Sequence, residues 1–161
     1  MEKKTKKLTP QQALQKIYSY CAYQERSHKE VRNKLYSYGL WGSEVEDLLT
    51  RLITEDFLNE ERFAKSFAGG KFRMKKWGRV KIARELEAHG LTNRCIKIGL
   101  REIEHNDYLN TMKLLIEKKW QSTSLESNLF KRRDKTARYA ISKGFEPEMV
   151  WEIVKGAENQ L

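Results

Sequence analysis

The sequence predicts an all-α fold of three tandem three-helix modules, in an elongated right-handed or curved helical array. Proline occurs only 2 times in 161 residues while Glu, Lys, Arg, Leu and Ala abound, a composition that favours helix nearly throughout. Helix-start signatures precede apolar runs at helical spacing, and strand-like alternation is absent. A glycine-terminated helix pattern recurs with a period of about fifty residues.

The elements follow in order. Met1-Glu2-Lys3-Lys4-Thr5-Lys6-Lys7 opens a flexible basic arm over residues 1–9, which adds long-range attraction and little specificity. Thr9-Pro10-Gln11-Gln12 begins a first helix at about 10–24 with a hydroxyl N-cap, proline at the first helical position and Gln three residues on. Ser27-His28-Lys29-Glu30 and Ser43-Glu44-Val45-Glu46 are S-x-x-E capping boxes that open helices at about 28–38 and 44–53. Gly39 between them is a left-handed stop.

Gly39-Leu40, Gly90-Leu91 and Gly144-Phe145 each end a helix. Counting from each Gly, the sixth residue is Val45, Ile96 or Val150, the tenth Leu49, Leu100 or Val154, and the thirteenth Leu52, Ile103 or Ala157. These offsets describe one buried helical stripe used three times. Upstream, Leu35, Leu86 and Ala140 share one offset, and Val31, Ile82 and Thr136 another. The modules read as about 10–53, 57–104 and 107–157. Each is too small to bury a full core, so part of its stability must come from its neighbour.

The second module carries the most distinctive motifs. They are an acidic-aromatic opening, Glu55-Asp56-Phe57, then Arg62-Phe63-Ala64, then Trp77-Gly78 before the middle helix, and finally Ile82-Ala83-Arg84-Glu85-Leu86 through Gly90-Leu91. This stretch resembles the RecX family of bacterial recombinase regulators, and the likeness extends to Ser27 through Gly39 and faintly into the third module. The resemblance implies three repeated three-helix units, as the repeat arithmetic does. It also implies a cytoplasmic regulator that binds RecA along the groove of its nucleoprotein filament. Such a regulator restrains strand exchange, ATP hydrolysis and coprotease activity in DNA repair and the SOS response.

With 32 Lys+Arg against 22 Asp+Glu the formal net charge is +10, and its distribution says more than its size. From Lys71 to Arg84 the chain carries Lys71, Arg73, Lys75, Lys76, Arg79, Lys81 and Arg84 and no acid, whereas Glu44 to Glu61 is dominated by Glu and Asp. A second basic cluster is Lys131, Arg132, Arg133, Lys135 and Arg138. Relative to their glycines, Arg79 matches Arg133, Lys81 matches Lys135 and Arg84 matches Arg138, while the first module has His28, Glu30 and Asn33 there. Basic faces of this kind suit phosphates or an acidic protein surface. The expected contact residues are therefore Arg73, Lys76, Arg79, Lys81, Arg84 and the five cations of the second cluster. Glu55, Asp56, Glu60 and Glu61 are expected to face basic filament loops. Trp77 either plugs the module junction or is offered to a partner; Phe63, Phe67, Trp120 and Trp151 read as packing residues.

A helix-turn-helix DNA-binding protein is the alternative. The third helices of two modules begin with Ser43-Glu44-Val45-Glu46-Asp47 and Glu146-Pro147-Glu148, which set carboxylates where base edges and phosphates must be met. Sequence-specific readout is disfavoured, and non-specific contact with single- or double-stranded DNA remains open. An enzyme is not expected. His28, His89 and His105 lack metal-ligand or triad spacing, and no glycine-rich phosphate loop or nucleophile elbow occurs. Asn59 with Glu60 and Glu61 reads as a helix cap rather than a metal site, and His89 as a cap on the last carbonyls of its helix. No cofactor is implied. Cys21 and Cys95 read as small hydrophobes. A mean hydropathy of −0.77 and the absence of a long apolar run exclude a membrane span, and secretion is not expected, since no apolar run or small-residue cleavage site follows the basic start. No heptad run suggests a coiled coil, and a monomer is expected.

Overall fold

The computed structural model describes residues 6–158 and contains, within them, nine α-helices and no strand. The helices are α1 Pro10–Tyr23, α2 His28–Ser37, α3 Ser43–Thr54, α4 Glu60–Lys75, α5 Arg79–Ala88, α6 Asn93–Leu100, α7 His105–Ser122, α8 Leu129–Ser142 and α9 Pro147–Glu158. They pack in consecutive threes. Of the arm expected over 1–9, residues 1–5 lie outside the described residues. Leu8 and Thr9 belong to the first module, since Leu8 donates its N–H to the Tyr38 carbonyl (2.9 Å) and Thr9 caps α1.

The expected capping boxes form at Thr9/Gln12 and Ser27/Glu30. The one expected at Ser43 does not. Gly42, at φ 53°, turns the chain into α3 one residue early, so Ser43 is already helical and no side chain caps α3. Glu46 instead accepts from Arg32 Nε at 3.0 Å, a charged partner stronger than a backbone amide. Asn59 caps α4 as expected, accepting from the Arg62 N–H at 2.9 Å.

The repeated glycine stop is one structure built three times. Gly39, Gly90 and Gly144 have φ of 88°, 84° and 99°, and the next residue donates its N–H back to a carbonyl near the helix end: Leu40 to Leu35, Leu91 to Leu86 and Phe145 to Ala140. This is the Schellman closure, and its apolar partner is buried every time. The stripe positions Val45, Leu49, Leu52, Ile96, Ile103, Val150 and Val154 are buried too, as are Val31, Ile82, Thr136, Leu35, Leu86 and Ala140. Leu100 is half-buried, and the side chain of Ala157 lies outside the described residues.

The buried side chains form two cores, not three. One is confined to α1–α3 and the loop after them, around Ile17, Val31, Leu35, Leu40 and Leu52. The other runs continuously from α4 to α9, joining Phe63, Ile82 and Leu86 to Met112, Ile116, Phe145 and Val150. The fusion is made by backbone. Gly78 donates its N–H to the Lys143 carbonyl (2.8 Å) and Val80 to the Gly144 carbonyl (2.9 Å), clamping the α4–α5 turn onto the α8–α9 turn. A Cβ on Gly78 would lie 2.3 Å from the backbone of Gly144 and Phe145.

The first module meets the second through polar groups. Arg62 Nε pairs with Glu25 (2.5 Å), His28 Nδ1 with Glu60 (2.9 Å), and Lys29 Nζ donates to the Ala88 carbonyl (2.9 Å). His89 does not cap its own helix with its ring. The ring lies edge-on to Phe63 and Phe67 and its Nδ1 sits 3.3 Å from Ser27 Oγ, because the neighbouring module offers a partner that the helix end, already closed by Gly90, does not need.

Gly78→Ala should destabilise the fold by about 2–3 kcal/mol by overpacking the seam. Gly70→Ala on α4, where nothing lies within 4 Å of the new Cβ, should stabilise by about 0.5–1 kcal/mol; urea denaturation of both variants checks the contrast. Burial, outweighing the Glu60 carboxylate and assisted by Arg32, holds the His28 imidazole below its ordinary 6.5. The unfolded chain therefore takes up the proton first, and stability present above pH 6.5 is lost as pH falls through the folded value. His28→Gln should flatten the fall in denaturation midpoint between about pH 7.5 and about pH 5.5.

Candidate partner-binding face

The basic run from Lys71 to Arg84 occupies the last turns of α4, the turn after it and α5. Lys76 adopts the left-handed conformation (φ 57°, ψ 36°), ending α4 by donating its N–H to the carbonyls of Lys71 and Phe72. Trp77 follows, half-buried against the fused core, so it does pack at the junction. Its ring is surrounded by three ammonium groups, Lys81 Nζ at 4.4 Å, Lys71 at 5.1 Å and Lys75 at 5.6 Å from the centroid. Contacts of this length hold flexible lysines over a ring while leaving their charge at the surface. Arg73, Lys75, Lys76 and Arg84 are exposed. Among the described residues none of Lys71, Arg73, Lys75, Lys76, Lys81 and Arg84 takes part in an ion pair. The face therefore presents uncompensated positive charge on a fixed scaffold.

Arg79 is placed elsewhere. Its guanidinium stacks on the ring of Tyr108 (3.9 Å) and lies 3.6 Å from Glu146 Oε2 and 3.3 Å from His105 Nδ1. Tyr108 is fully buried, accepts the Arg79 backbone N–H at 3.1 Å and donates its hydroxyl to Glu146 Oε1 at 2.5 Å. Burial and the Glu146 hydrogen bond push the phenol well above its ordinary range, so it stays a neutral donor. Arg79 is thus a structural link across the seam, and Glu146, read from sequence as an exposed helix start, is its counter-charge.

The second cluster is largely engaged within the fold. Arg132 lies over Trp120 (3.8 Å) and donates to its carbonyl (2.7 Å). Lys135 pairs with Glu126 (3.1 Å) and Arg138 with Asp134 (3.0 Å). Arg133 is half-buried, while Lys131 is exposed. The acidic stretch is engaged as well: Glu55 accepts from Tyr18 and from Arg51, which hold its carboxyl below the usual range, Asp56 pairs with Arg62, Glu60 with His28 and Glu61 with Arg94. Among the described residues no cluster of His, Cys, Asp or Glu is arranged to hold a metal ion. Cys21 is buried, which pushes its thiol up to about 11, and Cys95 is half-buried. No described helix is long and apolar enough to cross a membrane.

Sequence reasoning missed a groove of about 510 Å³ between α7 and α8, with Lys76, Lys118, Lys119 and Lys143 around Leu114 and Tyr139 and no acid in its lining. Its cations come from α7 and from the turns that end α4 and α8, so no run in the sequence announces them.

The model for the second three-helix domain of RecX matches residues 59–100, and that for the third matches residues 106–154. The chain belongs to the RecX family. Two curated relatives align with it over most of both chains. The regulatory protein RecX of Prosthecochloris aestuarii is 27% identical over 138 residues, covering 86% of this chain and 88% of that protein. Its counterpart in Ralstonia pickettii is 28% identical over 142 residues, covering 88% and 86%. The crystal structure of RecX from Lactobacillus salivarius shares the fold, with a TM-score of 0.81 at 21% identity over 92% of this chain and 96% of that one. Both sides of the RecX seam, Gly78 with Arg79 and Tyr108 with Gly144, lie inside the matched domains.

Tyr108→Phe tests the seam. It leaves Glu146 and the Arg79 amide without their shared partner and should cost about 1–3 kcal/mol in urea denaturation, with the helical circular-dichroism signal retained.

Proposed function

We propose that this RecX-family chain is a non-enzymatic, cytoplasmic regulator that binds RecA and its nucleoprotein filament. In that role it inhibits recombinase, ATPase and coprotease activity in homologous recombination and the SOS response. The observation that carries the reading is the α4–α5 face: six cations without acidic partners, three of them around Trp77, on a body of two modules that share one core. Such a face attracts the carboxylates of a protein surface and the phosphates of the DNA held within a filament, and it loses affinity as salt rises. Modules at 10–53, 57–104 and 107–157 would form an elongated array able to span successive protomers, with the chain acting as a monomer.

Arg73, Lys76, Lys81 and Arg84 are the principal contacts in this reading, with Lys131, Arg133, Lys135 and Arg138 as a secondary set. Glu55, Asp56, Glu60 and Glu61 take a lesser part, since each already has a partner within the fold. Sequence-specific duplex readout has less support. Glu44 and Glu46 still open α3, which keeps the end of a would-be recognition helix negative.

Charge reversal at Lys81, Arg84, Lys135 and Arg138 should weaken binding to RecA assembled on single-stranded DNA at least tenfold at low salt and relieve inhibition of its ATPase. Fluorescence anisotropy and a coupled ATPase assay across a salt series read both. Unchanged filament binding by the reversed variant contradicts the assignment. Tight binding to one duplex sequence without any effect on RecA would favour the helix-turn-helix alternative.

A further inference from the structure

The first module has no basic run in its sequence, yet its α1–α2 side carries a cationic and aromatic groove of about 800 Å³. Lys16, Tyr20 and Tyr23 fall at i, i+4 and i+7 on α1, and Lys34 and Tyr38 at i and i+4 along α2 and its cap, so helical spacing brings each set to one side. Arg26, from the loop between the helices, completes the groove, and no Asp or Glu lines it.

The cations are held in place by the rings. The Arg26 guanidinium stacks on Tyr20 at 3.8 Å while its Nε donates to the Tyr20 carbonyl at 3.1 Å. Lys34 Nζ lies 5.3 Å from the Tyr20 ring and 5.9 Å from that of Tyr38, and Lys16 Nζ lies 5.9 Å over Tyr38 from the other helix. Three positive charges are thus ordered along one groove before any ligand arrives, which lowers the entropic cost of binding. The nearby carboxylates are turned away: Glu25 pairs with Arg62, and Glu30 caps α2 beside His89. Tyr20 and Tyr38 are half-buried, and burial raises both phenols above 10, so they remain neutral hydrogen-bond donors.

Tyr23 differs from the other two rings. It is 82% exposed at the end of α1, with only Arg26 nearby at 5.9 Å, and so offers a free aromatic face beside the row of cations. A line of fixed cations next to a free ring matches a ligand with a repeating phosphate and an unpaired planar base. An acidic peptide would use the charges and leave the ring without a partner.

The geometry points to the α1–α2 groove as a binding site for single-stranded nucleic acid, in which Lys16, Arg26 and Lys34 follow the phosphates and Tyr23 stacks on a base. This site lies on a different module from the α4–α5 face and needs no recombinase. The contacts go to backbone and ring faces, so it has little base preference.

The test uses the full chain carrying K81Q/R84Q, so that the α5 face does not mask the groove, and a short fluorescein-labelled oligo(dT) titrated by anisotropy over a salt series. Tyr23→Ala should weaken binding about tenfold with the salt slope retained, and Tyr23→Phe should restore it. Lys16→Gln with Lys34→Gln should lower the slope of log affinity against log salt by about 1.4, two phosphate contacts at about 0.7 each. Affinity and slope unchanged in all these variants would overturn the proposal. Polyglutamate displacing the oligonucleotide as well as unlabelled oligo(dT), with Tyr23→Ala affecting neither, would overturn it too and assign the groove to an acidic polypeptide. With no RecA in the assay, neither result depends on the filament-binding reading.

Discussion

The structure depends on the backbone seam between Gly78 and Gly144. Two amide-to-carbonyl bonds across it bring the turn before α5 against the turn before α9, at a separation that a single methyl group would prevent. Three-helix units of this size bury little apolar surface and are marginal alone. The seam answers that by letting Phe63, Ile82 and Leu86 share one interior with Met112, Ile116 and Phe145. Tyr108, itself fully buried, completes it from inside, tying the Arg79 amide to the Glu146 carboxylate.

The same seam shapes the surface. Trp77 immediately precedes Gly78, so clamping that turn fixes the indole, and the indole in turn organises Lys71, Lys75 and Lys81. Elsewhere the charges largely cancel within the fold, at Glu126 with Lys135, Asp134 with Arg138, and at Glu55, Asp56 and Glu61 of the acidic stretch. The +10 excess of the chain is therefore expressed where acids are missing rather than where cations are most numerous. The first module, with its own core and a junction made mainly of ion pairs and hydrogen bonds, is held to the rest less by burial than by charge.

Helices, glycine stops and buried stripes were legible because they depend on local rules: Gly39, Gly90 and Gly144 end helices by backbone geometry, and positions such as Leu35 and Leu86 face inward by period alone. Most of what escaped depends on partners distant in sequence, and the start of α3 is the local exception. Ser43 looks like Ser27, but Gly42 before it shifts the helix start by one residue. His89 stands at a helix end, yet its partners are Ser27 and two rings. Arg79 shares its offset with Arg133 and sits in the basic run, but Tyr108 and Glu146, from the next module, draw it inward. The groove lined by Lys118, Lys119 and Lys143 assembles from separate elements, and the helical spacings of Lys16, Tyr20 and Tyr23 and of Lys34 and Tyr38 were the signals for the groove of the first module.

The most direct measurement is site-specific photo-crosslinking to RecA filaments formed on single-stranded DNA, with a photoreactive residue placed at Arg84 on α5 or at the exposed Glu152 on α9. Docking through the α4–α5 face predicts a RecA adduct from position 84, suppressed by salt, and none from position 152. Adducts from 152 with none from 84, or none from either position on saturated filaments, would contradict it.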